Sequence, residues 1–287
     1  MFEFVRFAEM HGLIIKNGID DSGDIIRVST TEKPHSKNGS YSWDGRHGWV
    51  QNWNRAEHPV FYQPQYVQKL PDEERKKIIA KREENESRRA VCASAVKMEI
   101  ERAIKSGKTT VSRYMQSKGF KNHAMIVVGN DTVVPMYHYN GYELIGYQRI
   151  IEEPNGEYTK KMAFGMQAKG AIHIIGSRSA DAYILCEGYA TGVSIMQAIK
   201  ASGMSLAVVV CFSARNLADI GTKLKSRPGY VYADNDENGI GEIAAKNSGL
   251  PYCMSDKLGN DANDDMREFG IQYLINKINS AKQSKPT

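Results

Sequence analysis

The amino-acid sequence predicts an α/β protein with a central parallel sheet flanked by helices. From residue 181 onward, short apolar runs alternate with segments of helical length, and this order is typical of parallel sheets covered on both faces. Acidic residues directly follow several of the apolar runs, at the strand ends where such sheets bind ligands. The length of 287 residues leaves room for smaller modules before this part.

The predicted parallel domain covers residues 181–287. Three apolar runs, AYILC, LAVVVC and YVYA, predict its strands, and helices are expected through SIMQAIKA, NLADIGTKL and GEIAAKNSG. A last helix is expected from about Asp264 to Ala281. Because parallel strands are joined by crossover connections that are usually helical, this order predicts a parallel arrangement.

Residues 111–180 are expected to form a basic α+β lobe. The runs MIVVG, TVVPMYHY, ELIGYQRI and AIHIIG predict strands, and Asn140-Gly141 between two of them is a strong hairpin signal. Between residues 97 and 180 there are 12 Lys and Arg against 7 Asp and Glu, an excess equal to the whole net charge of +5. Such an excess suits nucleic-acid phosphates, although a solvated surface would also carry it.

Two further segments precede the lobe. Residues 1–69 are expected to form a small β-containing module, whose aromatic rings either build a core or offer a base-stacking platform. These rings belong to Tyr41, Trp43, Trp49, Trp53 and Phe61. Residues 70–110 are expected to form a charged helical connector, because Pro71 and the acids after it favour a helix start. Of the 18 residues in 72–89, 13 are charged, which predicts a mostly solvated helix.

Cysteine usage and hydropathy exclude several classes of protein. The four cysteines include no CxxC pair, which excludes a zinc ribbon, and reduced, buried thiols are expected in a cytoplasmic protein. No run approaches the roughly 18 apolar residues of a membrane span. The first residues do not resemble a secretion signal. We therefore expect no membrane partner.

Three groups of acidic residues follow strands of the predicted parallel sheet. Glu187 ends the run YILC and precedes Gly188, and Asp234 and Asp236 end the run YVYA. The third group is the loop GNDANDD, with Asp261, Asp264 and Asp265. Carboxylates at neighbouring strand ends repel one another, and divalent cations relieve this repulsion. Mg²⁺ prefers a few carboxylate oxygens together with water and substrate phosphates. Paired metals can polarise the attacking and the leaving oxygen in phosphoryl transfer.

A structural role for these acids is the competing interpretation. An Asp after a strand is often a helix cap or a turn residue, and an isolated Asp-x-Asp indicates little. Glu-Gly after one strand, Asp-Asn-Asp after a later strand and a third acidic loop together favour a Mg²⁺ site, in which Mn²⁺ can substitute.

Residues 181–268 resemble a Toprim domain, the fold shared by bacterial-type primases, topoisomerases and some nucleases. The family pattern is Glu-Gly after a first strand, matched by Glu187-Gly188, and Asp-x-Asp after a later one, matched by Asp234 and Asp236. The stretches ILCEGYATG, CFSARNL and ADNDENGIGEIAA are similar to the Toprim region of plasmid- and phage-encoded DNA primases. Residues 133–176 are similar to the basic lobe before it, and the resemblance extends over nearly the whole chain.

The resemblance implies a primase that makes short primers on single-stranded DNA from nucleoside triphosphates in the bacterial cytoplasm, with a separate replicative helicase as partner. Glu187 would be a metal carboxylate or a general acid and base, and Asp234 and Asp236 would hold Mg²⁺ with the nucleotide. Basic positions facing template and nucleotide phosphates would be Arg149, Lys161 and Lys169. Supporting residues would be Gly188, Asn216, Asp261 and Asp264. Arg149 could instead pair with Glu152 or Glu153, and Lys169 could be an exposed turn residue.

Departures from the family pattern leave other functions open. The turn that reads FDAGNL in the family is FSARNL here, with Ser213 in place of an acid and Arg215 in place of a glycine. The chain carries no zinc-binding cysteine pairs and no Walker motif. A Toprim-type nuclease would use the same metal site to activate water. A non-catalytic nucleic-acid-binding module that retains the fold is the third interpretation.

Overall fold

A computed structural model describes residues 2–16, 18–55, 58–63, 72–166, 168–224 and 227–283. The chain divides into two compact units, residues 1–90 and residues 91–287. Pro71 and the module boundary expected at residues 69 and 70 lie outside the described residues.

The first unit contains an antiparallel sheet in which strand order follows chain order. It comprises α1 (Phe2–Met10), β1 (Leu13–Ile14), β2 (Ile26–Thr30), β3 (Gly39–Trp43), β4 (Gly48–Asn52) and β5 (Val60–Tyr62). The sequence did not predict α1, whose Phe4 and Ala8 are buried one helical turn apart. Tyr41 and Trp43 are in the core of this unit, so these two of the five predicted rings are core residues.

The remaining rings of that group lie nearer the surface. Trp49 is half-buried, whereas Trp53 and Phe61 are exposed. Trp53 packs beneath the guanidinium of Arg27, whose central carbon is 4.1 Å from the ring centroid. The alternation of a β-strand explains the division, because Val50 faces the core while its neighbour Trp49 faces away from it.

The charged connector is the helix α2 (Asp72–Ser106), which belongs to both units. In the first unit, Arg88 and Arg89 both pair with Asp24. In the second unit, Val96 and Ile100 are buried in a cluster with residues of the antiparallel sheet. No helix within the described ranges is both long and apolar enough to cross a membrane.

The second unit is built on one mixed sheet. Its first part is antiparallel and comprises β6 (Thr109–Val111), α3 (Arg113–Ser117), β7 (Ala124–Val128), β8 (Asp131–His138), β9 (Leu144–Glu152), β10 (Tyr158–Met162) and β11 (Ala171–Ile175). Its second part alternates strands and helices: β12 (Ala182–Cys186), α4 (Tyr189–Ser202), β13 (Leu206–Val210), α5 (Ala214–Lys223), β14 (Gly229–Ala233), α6 (Ile240–Ser248), β15 (Tyr252–Met254), α7 (Ala262–Phe269) and α8 (Ile271–Gln283).

The strand order is β10-β9-β8-β11-β13-β12-β14-β15, with β7 pairing β8 and β6 pairing β7. Strands β13, β12, β14 and β15 are parallel, and β11 is antiparallel to both β8 and β13. The predicted α/β class with parallel strands is therefore confirmed. The antiparallel lobe continues directly into the parallel part through β11.

Helices cover both faces of the parallel strands. On one face, Ile184 of β12 packs with Ile195 of α4 and Leu274 of α8. On the other face, Leu185 packs with Leu217 of α5, and Ala244 of α6 belongs to the same cluster. Since successive strand residues face opposite sides, burial on both sides explains why these strands read as continuous apolar runs.

One local prediction differs from the structure, and strands β10 and β15 were not predicted. The expected last helix is two helices, α7 and α8, separated at Gly270, whose φ of +84° departs from helical values. Strand β10 lies at the end of a stretch that reads as a polar turn, because an edge strand with two lysines lacks an apolar pattern. Strand β15 has only three residues, too few for a periodic signal.

The four cysteines form no disulfide. Cys186, Cys211 and Cys253 are buried in the parallel part, and Cys92 is partly buried. Burial raises the pKa of the Cys253 thiol to about 12, so this side chain is an uncharged core group.

Candidate functional site

Glu187 and Asp234 lie at the carboxyl ends of two neighbouring parallel strands. Strands β12 and β14 are hydrogen-bonded, with Leu185 opposite Val231. Glu187 lies two residues beyond this pair and Asp234 three residues beyond it. Because neighbouring strands are about 4.8 Å apart, the structure brings these two predicted acids to the same edge of the sheet.

Asp234 lies in an environment that opposes its negative charge. Burial raises its pKa to about 8, with further contributions from the charges of Glu187, Asp261 and Asp236, while Lys160 lowers it. Its Oδ1 atom is buried and has no hydrogen-bond partner. An unsatisfied buried carboxylate oxygen is costly, and a bound cation would remove that cost.

Glu187 experiences the same local electrostatics. Burial raises the pKa of Glu187 most, and the negative charge of Asp236 raises it further. The charge of Lys160 and a hydrogen bond from the Ala214 backbone N–H lower it. Ala214 is the first residue of α5, so the carboxylate lies at the positive end of that helix. The backbone of Glu187 is held by the Phe212 N–H, which donates to its carbonyl oxygen over 2.8 Å.

The segment carrying Asp234 and Asp236 is fixed from two sides. On one side, the Asn235 N–H donates to the Asn260 carbonyl oxygen over 3.1 Å. On the other side, a Cβ atom at Gly241 would lie 2.1 Å from the Asp234 carbonyl oxygen. Only glycine permits α6 to approach Asp234 this closely. Gly241 was not singled out from the sequence, although the second glycine of NGIG, shortly after Asp234 and Asp236, was the available signal.

Asp261 and Asp264 form the N-terminal cap of α7. The Asp261 carboxylate accepts hydrogen bonds from the N–H groups of Asn263 (2.6 Å) and Asp264 (3.0 Å) and from the Thr191 hydroxyl (2.9 Å). The Asp264 carboxylate accepts in turn from the Asp261 N–H over 3.4 Å. These contacts are a capping box, so the competing structural interpretation holds for this pair. The charge of Asp261 still acts on Asp234.

The edge of the sheet that carries Glu187 and Asp234, called the acidic edge below, is also approached by Lys160, which was not singled out from the sequence. Taken as a whole residue, Lys160 of β10 is exposed. Its ammonium group, however, is surrounded by many protein atoms. Burial acts to lower its pKa, but Tyr114, Asp261 and Glu187 raise it overall, so the ammonium remains charged. Its Nζ is 5.4 Å from the centroid of the Tyr114 ring. Through Lys160, the antiparallel lobe contributes a positive charge next to Glu187 and Asp234.

Arg149 and Lys161 lie on the other face of the antiparallel lobe. They are directly opposite each other on β9 and β10, whereas Lys160 is opposite Ile150. Because successive residues of a strand face opposite sides, Arg149 and Lys161 do not share the face of Lys160. Arg149 pairs with Asp131, 2.7 Å from its Nε, rather than with either expected glutamate.

Lys169 is an exposed residue in the turn before β11. The turn lies beside the acidic edge because Asn216 ties it there. The Asn216 side chain accepts from the Gly170 N–H (2.9 Å) and donates to the carbonyl oxygens of Ala171 (2.7 Å) and Cys211 (2.8 Å). Asn216 thus joins the start of β11 to the end of β13, the strand that neighbours the strand of Glu187.

Gly188 and Ser213 are the N-caps of two of the helices that begin near the acidic edge. Gly188 is the N-cap of α4 and has an extended backbone. Ser213 is the N-cap of α5 and accepts a hydrogen bond from the Asn216 N–H over 3.2 Å. A serine provides this cap as well as an acid does, so Ser213 suits a turn at which the resemblance to Toprim primases would place an acid. Arg215, the other departure, is exposed.

The geometry of the acids suits a metal ion that is shared with a substrate. Among the residues that the structure describes, no group of three or more His, Cys, Asp or Glu side chains forms a ready-made metal site. Mg²⁺ commonly takes one or two carboxylates and completes its shell with water and phosphate oxygens. The unpartnered Oδ1 of Asp234 and the raised pKa values of Asp234 and Glu187 fit this kind of site.

The arrangement combines acids that gain from a divalent cation with a charged lysine that can bind a phosphate. Such a combination is suited to phosphoryl transfer. No protein-family model matches this chain, and no curated protein matches it.

Proposed function

We propose that this protein is a DNA primase-like nucleotidyl transferase of the Toprim type. The observation that carries the proposal is the meeting of Glu187 and Asp234 at one sheet edge, where Asp234 has a buried oxygen without a partner. The Glu-Gly and Asp-x-Asp motifs at these positions support the assignment to phage- or plasmid-type primases. The bacterial cytoplasm is the proposed location.

Asp234, Asp236 and Glu187 are the residues that would hold Mg²⁺, or Mn²⁺ in its place. Bound there, the ion supplies positive charge against the triphosphate of a nucleotide. Lys160 binds a phosphate oxygen next to it, because its ammonium remains charged beside the acids. The protein's own contribution is therefore a fixed set of charges around the triphosphate.

The proposed reaction joins two nucleotides on a single-stranded DNA template. The 3′ hydroxyl of one nucleotide attacks the α-phosphate of the next, the new phosphodiester forms, and pyrophosphate leaves. Glu187 is the proposed general base that accepts the hydroxyl proton. A separate replicative helicase is the proposed partner that exposes the template.

Primer synthesis is the direct test. Wild-type protein incubated with single-stranded DNA, labelled nucleoside triphosphates and Mg²⁺ or Mn²⁺ should yield short products. The variants Glu187→Gln and Asp234→Asn should yield none, while Glu237→Gln, an exposed acid in the same loop, should retain activity. The matched loop variant separates loss of the site from a general loss of acidic charge.

Two other outcomes would replace the proposal. Metal-dependent cleavage of DNA or RNA without added nucleotides, lost in Asp234→Asn, would identify a nuclease. Binding of single strands with no catalysis under varied templates, and no effect of the acidic variants, would identify a non-catalytic module.

A further inference from the structure

Phe164 is the most exposed large hydrophobic side chain in the described part of the chain, with 87% of its surface accessible. It lies two residues after the end of β10, in the connection to β11. A phenylalanine this exposed contributes almost nothing to the stability of the fold, because its ring stays in water. Single exposed apolar residues are common, so exposure alone does not indicate a role for Phe164. The structure of its turn and the charges near it in the sequence provide the further argument.

Hydrogen bonds and close packing hold the turn that carries Phe164. The Ala163 N–H donates to the Tyr147 carbonyl oxygen over 3.0 Å, and Ala163 is buried. The Met166 N–H closes the turn onto the Ala163 carbonyl oxygen over 3.3 Å. Gly165 has a φ of +87°, and a Cβ atom there would lie 2.5 Å from Cβ of Cys92 in α2. Ala163 and Gly165, the neighbours of Phe164, are therefore held in place, whereas the Phe164 ring is exposed.

The sequence around Phe164 has an excess of basic residues. Residues 158–180 contain four Lys and Arg and no Asp or Glu. Lys161, three residues before Phe164, and Lys169, five residues after it, are both exposed. An exposed ring with exposed cations on both sides of it in the sequence suits single-stranded nucleic acid, because a ring can stack on a base while cations bind the phosphates.

We propose that Phe164 is a base-stacking contact for single-stranded DNA, with Lys161 and Lys169 binding the adjacent phosphates. The proposal rests on the proposed function in that single-stranded DNA is the template there. It assigns the binding of the strand to a turn on the antiparallel lobe. It also gives Lys161 a role that does not require it to face the acidic edge.

Binding of fluorescent single-stranded DNA by the full chain, followed by anisotropy without nucleotides or metal, tests the contact. Phe164→Ala should weaken binding between about 5-fold and about 100-fold, the range for one stacked base. Phe164→Trp should restore it. Phe269→Ala, a control at another exposed ring, should bind as the wild type does.

An oligonucleotide with abasic sugars separates stacking from charge. The wild type should lose affinity for it, and Phe164→Ala should bind it no more weakly than the wild type does. Lys161→Met and Lys169→Met should weaken binding to both oligonucleotides and reduce its salt dependence.

Equal binding of normal DNA by wild type and Phe164→Ala would overturn the inference and leave the primase proposal intact. If Phe164→Ala lost affinity for normal and abasic DNA by the same factor, the inference would also be overturned. The ring would then have a structural role. A wild type that binds no single-stranded DNA would contradict both proposals. Stacking without primer synthesis would sustain the inference and contradict the primase alone.

Discussion

Glu187 and Asp234 follow hydrogen-bonded parallel strands, and burial together with the charge of Glu187 raises the pKa of Asp234 to about 8. The metal-free protein thus holds a carboxyl group that is costly to ionise. The same group is the one that a divalent cation would stabilise most. Stability and metal binding should therefore respond to pH in opposite directions.

Replacing Asp234 by Asn should stabilise the metal-free protein at high pH. The ordinary pKa of this carboxyl is 3.8, so between about pH 4 and about pH 8 the folded protein holds a proton that the unfolded chain has released. Stability of the wild type should fall as the pH rises through this window and stay reduced above it. The variant lacks this loss. Urea unfolding in EDTA at about pH 5 and about pH 9 measures the difference.

Glu237→Gln is the control, because Glu237 is exposed in the same loop. It should leave the pH dependence of unfolding unchanged. A wild type and an Asp234→Asn variant with the same pH dependence would show that Asp234 is not in a charge-opposing environment.

Mg²⁺ affinity should rise as the pH increases from about 6 to about 9. The cation must displace the proton that Asp234 holds below its pKa of about 8, so binding at neutral pH should release protons. Calorimetric titrations in two buffers of different ionisation enthalpy measure this release. Mg²⁺ binding with no proton release at pH 7 would indicate that another group holds the ion.

Gly241→Ala should abolish activity while leaving most of the structure intact. The added Cβ atom would lie 2.1 Å from the Asp234 carbonyl oxygen, so either α6 or Asp234 must move. Because shifts of about 1 Å can cost about 100-fold in rate, primer synthesis should fall at least that far. Circular dichroism checks that the helices remain.

Gly249→Ala, at the other end of α6, is the matched control. Gly249 has a φ of +68° and open space around its Cβ position, so alanine there should cost about 1 kcal/mol of stability with activity retained. Equal activity in Gly241→Ala and Gly249→Ala would show that the approach of α6 does not position Asp234.

Lys160→Met and Lys161→Met should differ sharply although the residues are adjacent. Loss of the Lys160 ammonium should weaken nucleoside triphosphate binding by about 10-fold to 100-fold, as expected for a charge-assisted phosphate contact. Lys161 faces the other side of β10, so its loss should leave nucleotide binding close to the wild-type value. Fluorescent nucleotide titrations measure both, and a reversed order would contradict the proposed phosphate contact.

The sequence contained enough information for the parallel part and its acidic edge. Apolar runs buried on both faces, such as the five-residue run ending at Cys186, are bounded by glycine and helix signals, so their order was predictable. Glu187 and Asp234 were selected because each directly follows such a run. Their meeting depends on β12 lying next to β14. The sequence does not show this strand order directly, and only the rule that ligands bind at the carboxyl ends of parallel strands suggested it.

The lobe was less predictable because its signals are local and weak. Lys160 and Lys161 are identical in type and adjacent, and only the pairing of Lys160 with Ile150 in β10 and β9 shows which one faces the acids. Strand β10 itself lacks an apolar pattern. The role of Gly241 depends on a close approach between two segments, which composition and periodicity do not encode.

Mn²⁺ binding followed by electron paramagnetic resonance, with and without a non-hydrolysable nucleoside triphosphate, tests the central claim most directly. We expect weak binding of Mn²⁺ alone, clearly tighter binding when the triphosphate is present, and loss of that gain in Asp234→Asn and Glu187→Gln. If both variants bind Mn²⁺ and nucleotide as the wild type does, the acids at this edge do not hold the metal and the proposed function fails.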